Sequence, residues 1–389
     1  MNLYDASRQW ADRPADERFW TLDDMLEQCE KYASSACQAK ILMNELRVTP
    51  AEDCPTDIRL IGPADIPAKL THWSFGQLCQ RVNAPAGYLR TMPAEIASDC
   101  LTHGLTRLGD EGNGCNALFH KNGSMVCRAF TSDDYSRIWN WEIVRRMRDA
   151  QSSGWRVPPA RPAMPNQPGT RAATEADCLE VRMSGLGIKP GDLIAPAGLY
   201  ASDHDCFIFM VNEESRIDDG SEGGLSRGFF VTNSEVGASA LKITKFLYRH
   251  VCGNHIVWDA KDVQELRIVH RGSNDRRFGY RFQYELRQYA GESAAKDQAR
   301  VTAAKGTLLG TTKDEVIDKL FGMKLLPKAR LEAAYEHACQ ESDLRSTGTS
   351  PRSVWGMVQG VTALSQKEAF TDARVELDRA AGKILSIAF

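Results

Sequence analysis

Apolar residues either alternate with polar ones or recur every third and fourth position along most of this chain, and the two rhythms mark strands and helices. Thr21-Leu-Asp-Asp24 opens a helix like a capping box, with Met25, Leu26, Cys29 and Ala33 as its apolar stripe. Thr71 to Leu89 reads as a short helix, a turn and a second short helix. Asn116 to Phe130 predicts two strands folded about Asn122-Gly123, a pair suited to a hairpin turn. A helix is expected to start at Asp133 or Asp134 and pass through Ile138, Trp141, Val144 and Met147. Its last turn carries Arg145, Arg146 and Arg148, where cations complement the helix dipole. Between Gln151 and Glu175, Pro158, Pro159, Pro162, Pro165 and Pro168 erase the periodicity and imply an extended loop. Strands are expected again at Leu179 to Met183 and Cys206 to Val211.

The run from Gly228 to Ile243 raises a specific question. A series of β-formers is interrupted by Thr232-Asn233-Ser234-Glu235, then resumes at Ala240 and continues to Val251. Asn, Ser and the following Gly237 are turn residues, but the same cluster would suit a polar site at a strand end. Beyond Asn274 the pattern turns helical through Phe278, Phe282, Leu286 and Tyr289. Thr312-Lys-Asp-Glu315 is a capping box before Val316 and Leu320, and further helices fit 328–340, 351–364 and 367–385. The expected fold is α+β. A mainly helical region covers 1–110, a β-rich core with a central antiparallel sheet and the Pro-rich loop at 151–175 covers 111–270, and a helical region covers 271–389.

Composition narrows the class. At 42% apolar and 25% charged, the 389 residues have the balance of a globular protein. Runs such as Phe207 to Val211 are too short to span a bilayer, so no membrane partner is expected. The first residues lack the basic and apolar regions of a secretion signal. Eleven cysteines occur with no CxxC pair, which fits free thiols in a reducing compartment and places the chain in the cytoplasm. Net charge is −3, but the balance is uneven. Residues 1–110 hold 11 Lys/Arg against 16 Asp/Glu, whereas 240–290 hold 10 against 5. A local anion-binding face on an acidic protein follows.

Candidate chemistry gathers in two places. Asn233, Ser234 and Glu235 form the polar interruption, and His250, Asn254 and His255 follow on the same hairpin. His250 with Cys252, and His204 with Cys206, do not make the two spaced pairs of a structural zinc site, so no metal or cofactor is assigned. No phosphate-binding glycine loop, HExxH or GxSxG occurs. The second place is basic: Lys242, Lys245, Arg249, Arg271, Arg276, Arg277 and Arg281, with aromatics interleaved from Phe278 to Tyr284, a composition suited to phosphates and stacked bases.

Several stretches carry a family resemblance. Thr71-His-Trp-Ser-Phe-Gly-Gln-Leu-Cys79 with Ala84 to Leu89, Phe130-Thr-Ser-Asp-Asp-Tyr135, Gly228 to Gly237, Tyr248-Arg-His-Val-Cys252 and Ser353-Val-Trp-Gly-Met357 resemble the phage/plasmid-like proteins grouped as domain of unknown function 932. The resemblance implies a mobile-element setting and a partner in DNA replication, recombination or defence, with no settled activity. The leading expectation is therefore a non-catalytic protein binding single-stranded DNA, as a homo-oligomer that promotes annealing. The alternatives are an enzyme acting on nucleic acid, with its site around Asn233–Glu235 and His250/His255, and a regulator or anti-defence factor binding a host protein.

Overall fold

The computed structural model describes residues 17–54, 56–109, 114–157, 161–163, 169–179, 187–196, 198–202, 204–218, 220, 224–249, 255–256, 266–270, 274–291, 294–340, 348–366 and 371–388. The first half holds β1 (Arg18–Phe19), α1 (Leu22–Ser34), β2 (Ala36–Leu42), β3 (Arg47–Pro50), β4 (Ile58–Ile61), β5 (Pro67–Leu70), α2 (His72–Arg81), α3 (Ala86–Leu89), α4 (Ala94–Thr106), β6 (Gly114–Asn122), β7 (Ser124–Thr131) and α5 (Asn140–Ala150). Short pieces follow: β8 (Trp155–Arg156), β9 (Arg161–Pro162), β10 (Arg171–Ala172), α6 (Glu175–Leu179), β11 (Leu193–Ala195) and β12 (Leu199–Ala201). The long strands are β13 (Cys206–Ile217), β14 (Leu225–Asn233) and β15 (Leu241–Arg249), with β16 (His255–Ile256) and β17 (Leu266–Ile268). Helices complete the chain: α7 (Asn274–Gly291), α8 (Ala294–Gly306), α9 (Lys313–Gly322), α10 (Lys328–Gln340), α11 (Val354–Gln366) and α12 (Thr371–Leu385). None of the described helices is long and apolar enough to cross a membrane.

The fold is α+β. A six-stranded sheet has the order β2-β6-β7-β5-β4-β3, antiparallel except between β5 and β7. An eight-stranded antiparallel sheet follows β1-β12-β13-β14-β15-β16, with β8 also on β13 and β17 also on β15. A small third sheet joins β10, β11 and β9. The expected central sheet is thus two large sheets. The strands between Ala36 and Leu70 are unforeseen by the periodicity, and α4 likewise.

Local chemistry explains most element ends. Thr21 Oγ1 accepts the Asp24 N–H at 3.1 Å and caps α1, whose Leu22, Met25, Leu26 and Cys29 are buried at helical spacing. Thr71 and Ser74 form a reciprocal capping box at the start of α2. The β6–β7 hairpin turns at Gly123, whose φ of +71° is a conformation glycine adopts without strain. In β7 the register shifts: Leu118 faces Ala129 while Phe119 faces Cys127, leaving Arg128 as the extra residue of a bulge. Cys127 therefore packs with the helix-side core and Ala129 with the opposite face, although they are two residues apart.

Two expected elements are corrected. The helix predicted from Asp133 or Asp134 begins at Asn140, and Leu179, expected to open a strand, ends the short helix α6. The rest of that strand, 180–183, lies outside the described residues.

Three apolar cores hold the layers. Leu78, Cys79, Leu101 and Leu105 of α2 and α4 pack on Leu60, Cys115 and Ala117 of the six-stranded sheet. Met25, Val144, Met147, Phe282 and Leu286 of α1, α5 and α7 cover Ile208, Phe229, Val231 and Ile243 of the eight-stranded sheet. The helices from α8 to α12 enclose a third core around Trp355, Val358 and Leu331, which reaches Ile217, Leu225 and Leu247 at the end of that sheet. Each Leu, Ile, Val, Phe or Met among them contributes about 1.5–3 kcal/mol when fully buried. Arg227 of β14 donates to Asp297 of α8 at 2.7 Å, a buried ion pair joining sheet to helices.

Candidate functional site

The polar interruption after β14 is both a turn and a hub. Ser234 Oγ accepts the N–H groups of Val236 (3.3 Å) and Ala238 (3.0 Å), closing the turn on itself, and donates to the His204 carbonyl at 2.7 Å. Asn233 Nδ2 donates to the Ile138 carbonyl (3.0 Å) and to Asn140 Oδ1 (2.8 Å). Glu235 Oε1 accepts the Asn140 N–H at 2.8 Å, and its Oε2 accepts from Arg128 Nη1 at 3.2 Å. All three side chains are buried. The bulge in β7 supplies the Arg128 that meets Glu235, because it gives that residue no partner in β6.

Other elements converge on the loop backbone. Trp73 Nε1 and Gln77 Nε2 of α2 both donate to the Val236 carbonyl at 3.0 Å, and Tyr135 Oη donates to the Ser234 carbonyl at 2.9 Å. Gln77 Oε1 also accepts the Phe130 N–H at 2.9 Å. Around them Leu118, Ala129, Val236 and Ala238 form a small apolar cluster with Trp73 and Trp139. The junction of the two sheets is therefore a buried, hydrogen-bonded layer rather than a greasy one.

Its electrostatics are lopsided. Arg137, between Tyr135 and α5, is 7% exposed; its Nε donates to Gln38 Oε1 at 3.3 Å, but Nη1 and Nη2 have no hydrogen-bond partner among the described residues. Its guanidinium lies 5.2 Å from the Tyr135 ring centroid and 5.8 Å from that of Trp139. Burial pulls its pKa down to about 10, against the opposing pull of Tyr135 and Glu235. His270 stacks on Tyr135 with centroids 5.0 Å apart, its Nδ1 3.2 Å from the Ser136 carbonyl, and burial lowers it to about 4. Burial likewise holds the Tyr135 hydroxyl above its ordinary range. His204 sits edge-on to Trp73 at 4.6 Å, beside an Asp205 that accepts from Tyr200 Oη and, at 3.0 Å, from Ser202 Oγ.

Of the sequence-derived candidates, Asn233, Ser234 and Glu235 stand together in this junction. His250 and Asn254 lie outside the described residues; His255 is in β16 opposite Tyr248. No group of three or more His, Cys, Asp or Glu among the described residues could hold a metal ion. Of the basic set, Lys242 and Lys245 do not share a surface. Lys245 is half-buried, 3.7 Å from Glu285 and 4.8 Å from the Tyr289 centroid, so it is an internal cation. Lys242, opposite Thr232 and Arg267, is three residues away on the same strand and so on the other face. Arg281 is exposed on α7; Arg276 and Arg277 share that helix and Arg249 ends β15, but their side chains, like all of Arg271, lie outside the described residues.

Sequence reasoning did not single out Arg128, Arg137, Asn140 or His270. Trp73, Gln77 and Tyr135 were visible only as members of the resembling stretches, and the structure now gives those stretches one meeting point. What the fold and junction define is an α+β protein of two large sheets fastened by a buried polar hub. The family described as Domain of unknown function (DUF932) matches residues 185–383, slightly over half of the chain, and the chain belongs to that family. No curated protein and no solved structure matches it. The matched span holds the 233–237 loop, His204 and His270, whereas Trp73, Gln77, Arg128, Tyr135, Arg137 and Asn140 precede it.

Proposed function

We propose that the protein binds single-stranded nucleic acid through the outer face of α7. The inner face of this helix buries Phe282, Leu286 and Tyr289 against the eight-stranded sheet. The outer face presents Tyr280, 84% exposed, and Tyr284, 62% exposed, one turn apart, with Arg281 and Arg287 exposed beside them. That exposed pair carries the reading: two large rings left in water at i,i+4 spacing, flanked by guanidinium groups, match the stacking and phosphate contacts that hold single strands. Arg146 of α5 packs instead across the buried Gly279 on the inner side of α7, where the absence of a side chain makes room for it. Both oxygens of Glu235 are engaged inside the protein, which favours this surface over the polar loop. In the setting the resemblance implies, a phage or plasmid copying or recombining its DNA, such a face would hold strands for annealing.

Fluorescence anisotropy with a labelled single-stranded oligonucleotide tests this. Tyr280→Ala with Tyr284→Ala is expected to weaken binding by roughly tenfold or more, since each stacked base is worth about 1–3 kcal/mol. Arg281→Gln and Arg287→Gln should each reduce the salt slope by about one. Absence of binding at about 50 mM salt, where the electrostatic contribution is large, would remove the proposal.

A further inference from the structure

Two guanidinium groups and one carboxylate are buried at the sheet junction: Arg128, Arg137 and Glu235. Glu235 spends one oxygen on Arg128 and the other on the Asn140 backbone, so neither forms a hydrogen bond with Arg137. A guanidinium removed from water with two Nη groups unpaired is costly unless something accepts from them. Its planar fork fits one partner class best, a group with two oxygens that share negative charge.

The surroundings are those of a receptor. Tyr135 and Trp139, both half-buried, flank the guanidinium, and Gln38 holds its Nε in place. Gln38 and Lys40 are exposed on β2, two residues apart and so on one face of the strand. Lys40 lies opposite Asn116 of β6, whose Oδ1 is buried with no donor among the described residues. Unpaired donors on Arg137 and an unpaired acceptor on the neighbouring strand together match an oxyanion that also carries a hydroxyl. We propose that Arg137, with Gln38, Asn116 and Lys40 about it, forms a binding site for a phosphate group. The site stands apart from α7 and does not depend on the nucleic-acid reading.

Isothermal titration of the full chain with inorganic phosphate, at constant ionic strength against chloride, tests it. Saturable binding of one phosphate per chain is expected, weakened about tenfold or more in Arg137→Gln, because a charge-assisted fork is lost. Trp139→Phe gives an independent readout that leaves the arginine and an aromatic ring beside it in place. A phosphate-dependent fluorescence change in the wild type that vanishes in this variant places the anion beside Trp139, and one that persists unaltered overturns the assignment. Failure of phosphate to saturate the wild type also overturns it. A single-stranded oligonucleotide that displaces phosphate shows that the phosphate belongs to a strand, whereas phosphate retained beside bound oligonucleotide shows a small free anion; both support the site. Oligonucleotide binding that survives Arg137→Gln keeps the α7 proposal separate.

Discussion

Glu235 Oε1 accepts the backbone N–H of Asn140 at 2.8 Å, so a carboxylate from the loop after β14 occupies the start of a helix 95 residues earlier in the chain. The residue before that helix, Trp139, has no side-chain capping bond. A distant acid therefore does what a local Asp or Ser usually does, and it also carries the charge of Arg128.

Removing one member of this buried pair should be expensive. Glu235→Gln is expected to cost about 3–5 kcal/mol, because Arg128 is left buried without a counter-charge. Replacing both, with Arg128→Met and Glu235→Gln, should cost less than the sum of the single changes. Urea denaturation of the four proteins measures the coupling, and additive losses would contradict the pairing.

His270 makes stability depend on acid. Its folded pKa is about 4 against an ordinary 6.5, so between these values the unfolded chain binds the extra proton. Stability therefore rises with pH across that window and is lost as pH falls through it, by on the order of 3 kcal/mol for a shift of this size. His270→Phe, which keeps a ring against Tyr135, should lose less stability between pH 7 and pH 4.5 than the wild type does. His120, lowered mainly by burial, is present in both proteins and cancels.

Two glycines mark close approaches, one of a side chain and one of a backbone. A methyl group on Gly228 would collide with the Phe246 ring, and one on Gly360 with the backbone carbonyl of Ala334. Gly228→Ala should cost about 1–3 kcal/mol and be partly rescued by Phe246→Leu, since a side chain can be trimmed. Gly360→Ala should cost more, because the α10–α11 contact offers only main chain to move. Thermal melts of the three variants order these effects.

Thiol labelling checks the packing in native protein. Cys37, Cys100 and Cys339 are exposed and should react with a maleimide before denaturation. Cys29, Cys127 and Cys206 should react only on unfolding, as burial raises each thiol far above its ordinary pKa.

Where a signal was local, the chain could be read directly. Thr21 and Thr312 cap helices by accepting from N–H groups three residues on, and Asn122-Gly123 turns a hairpin by its own dihedral preference. The start of α5 was misplaced because its capping group comes from Glu235, and no window around Asp133 contains that information. β2 is not marked by hydrophobic patterning because it is the edge strand of its sheet, with Gln38 and Lys40 in water and none of its side chains fully buried. Among the site residues, the 233–235 cluster was visible as a break in a hydrophobic run. Arg128 was not, since the bulge that frees it appears only in the pairing of β6 with β7.

The eight-stranded sheet has consequences for how the chain can be divided. Its members β1 and β8, and the α1 and α5 layer over Phe229 and Ile243, all come from before residue 185, where the family match starts. A fragment cut at that border would retain Glu235 without its arginine and would strip the lining from one side of its longest strands. The border marks relatedness, while cooperative folding crosses it, so excision there should yield an aggregation-prone remnant rather than an autonomous module.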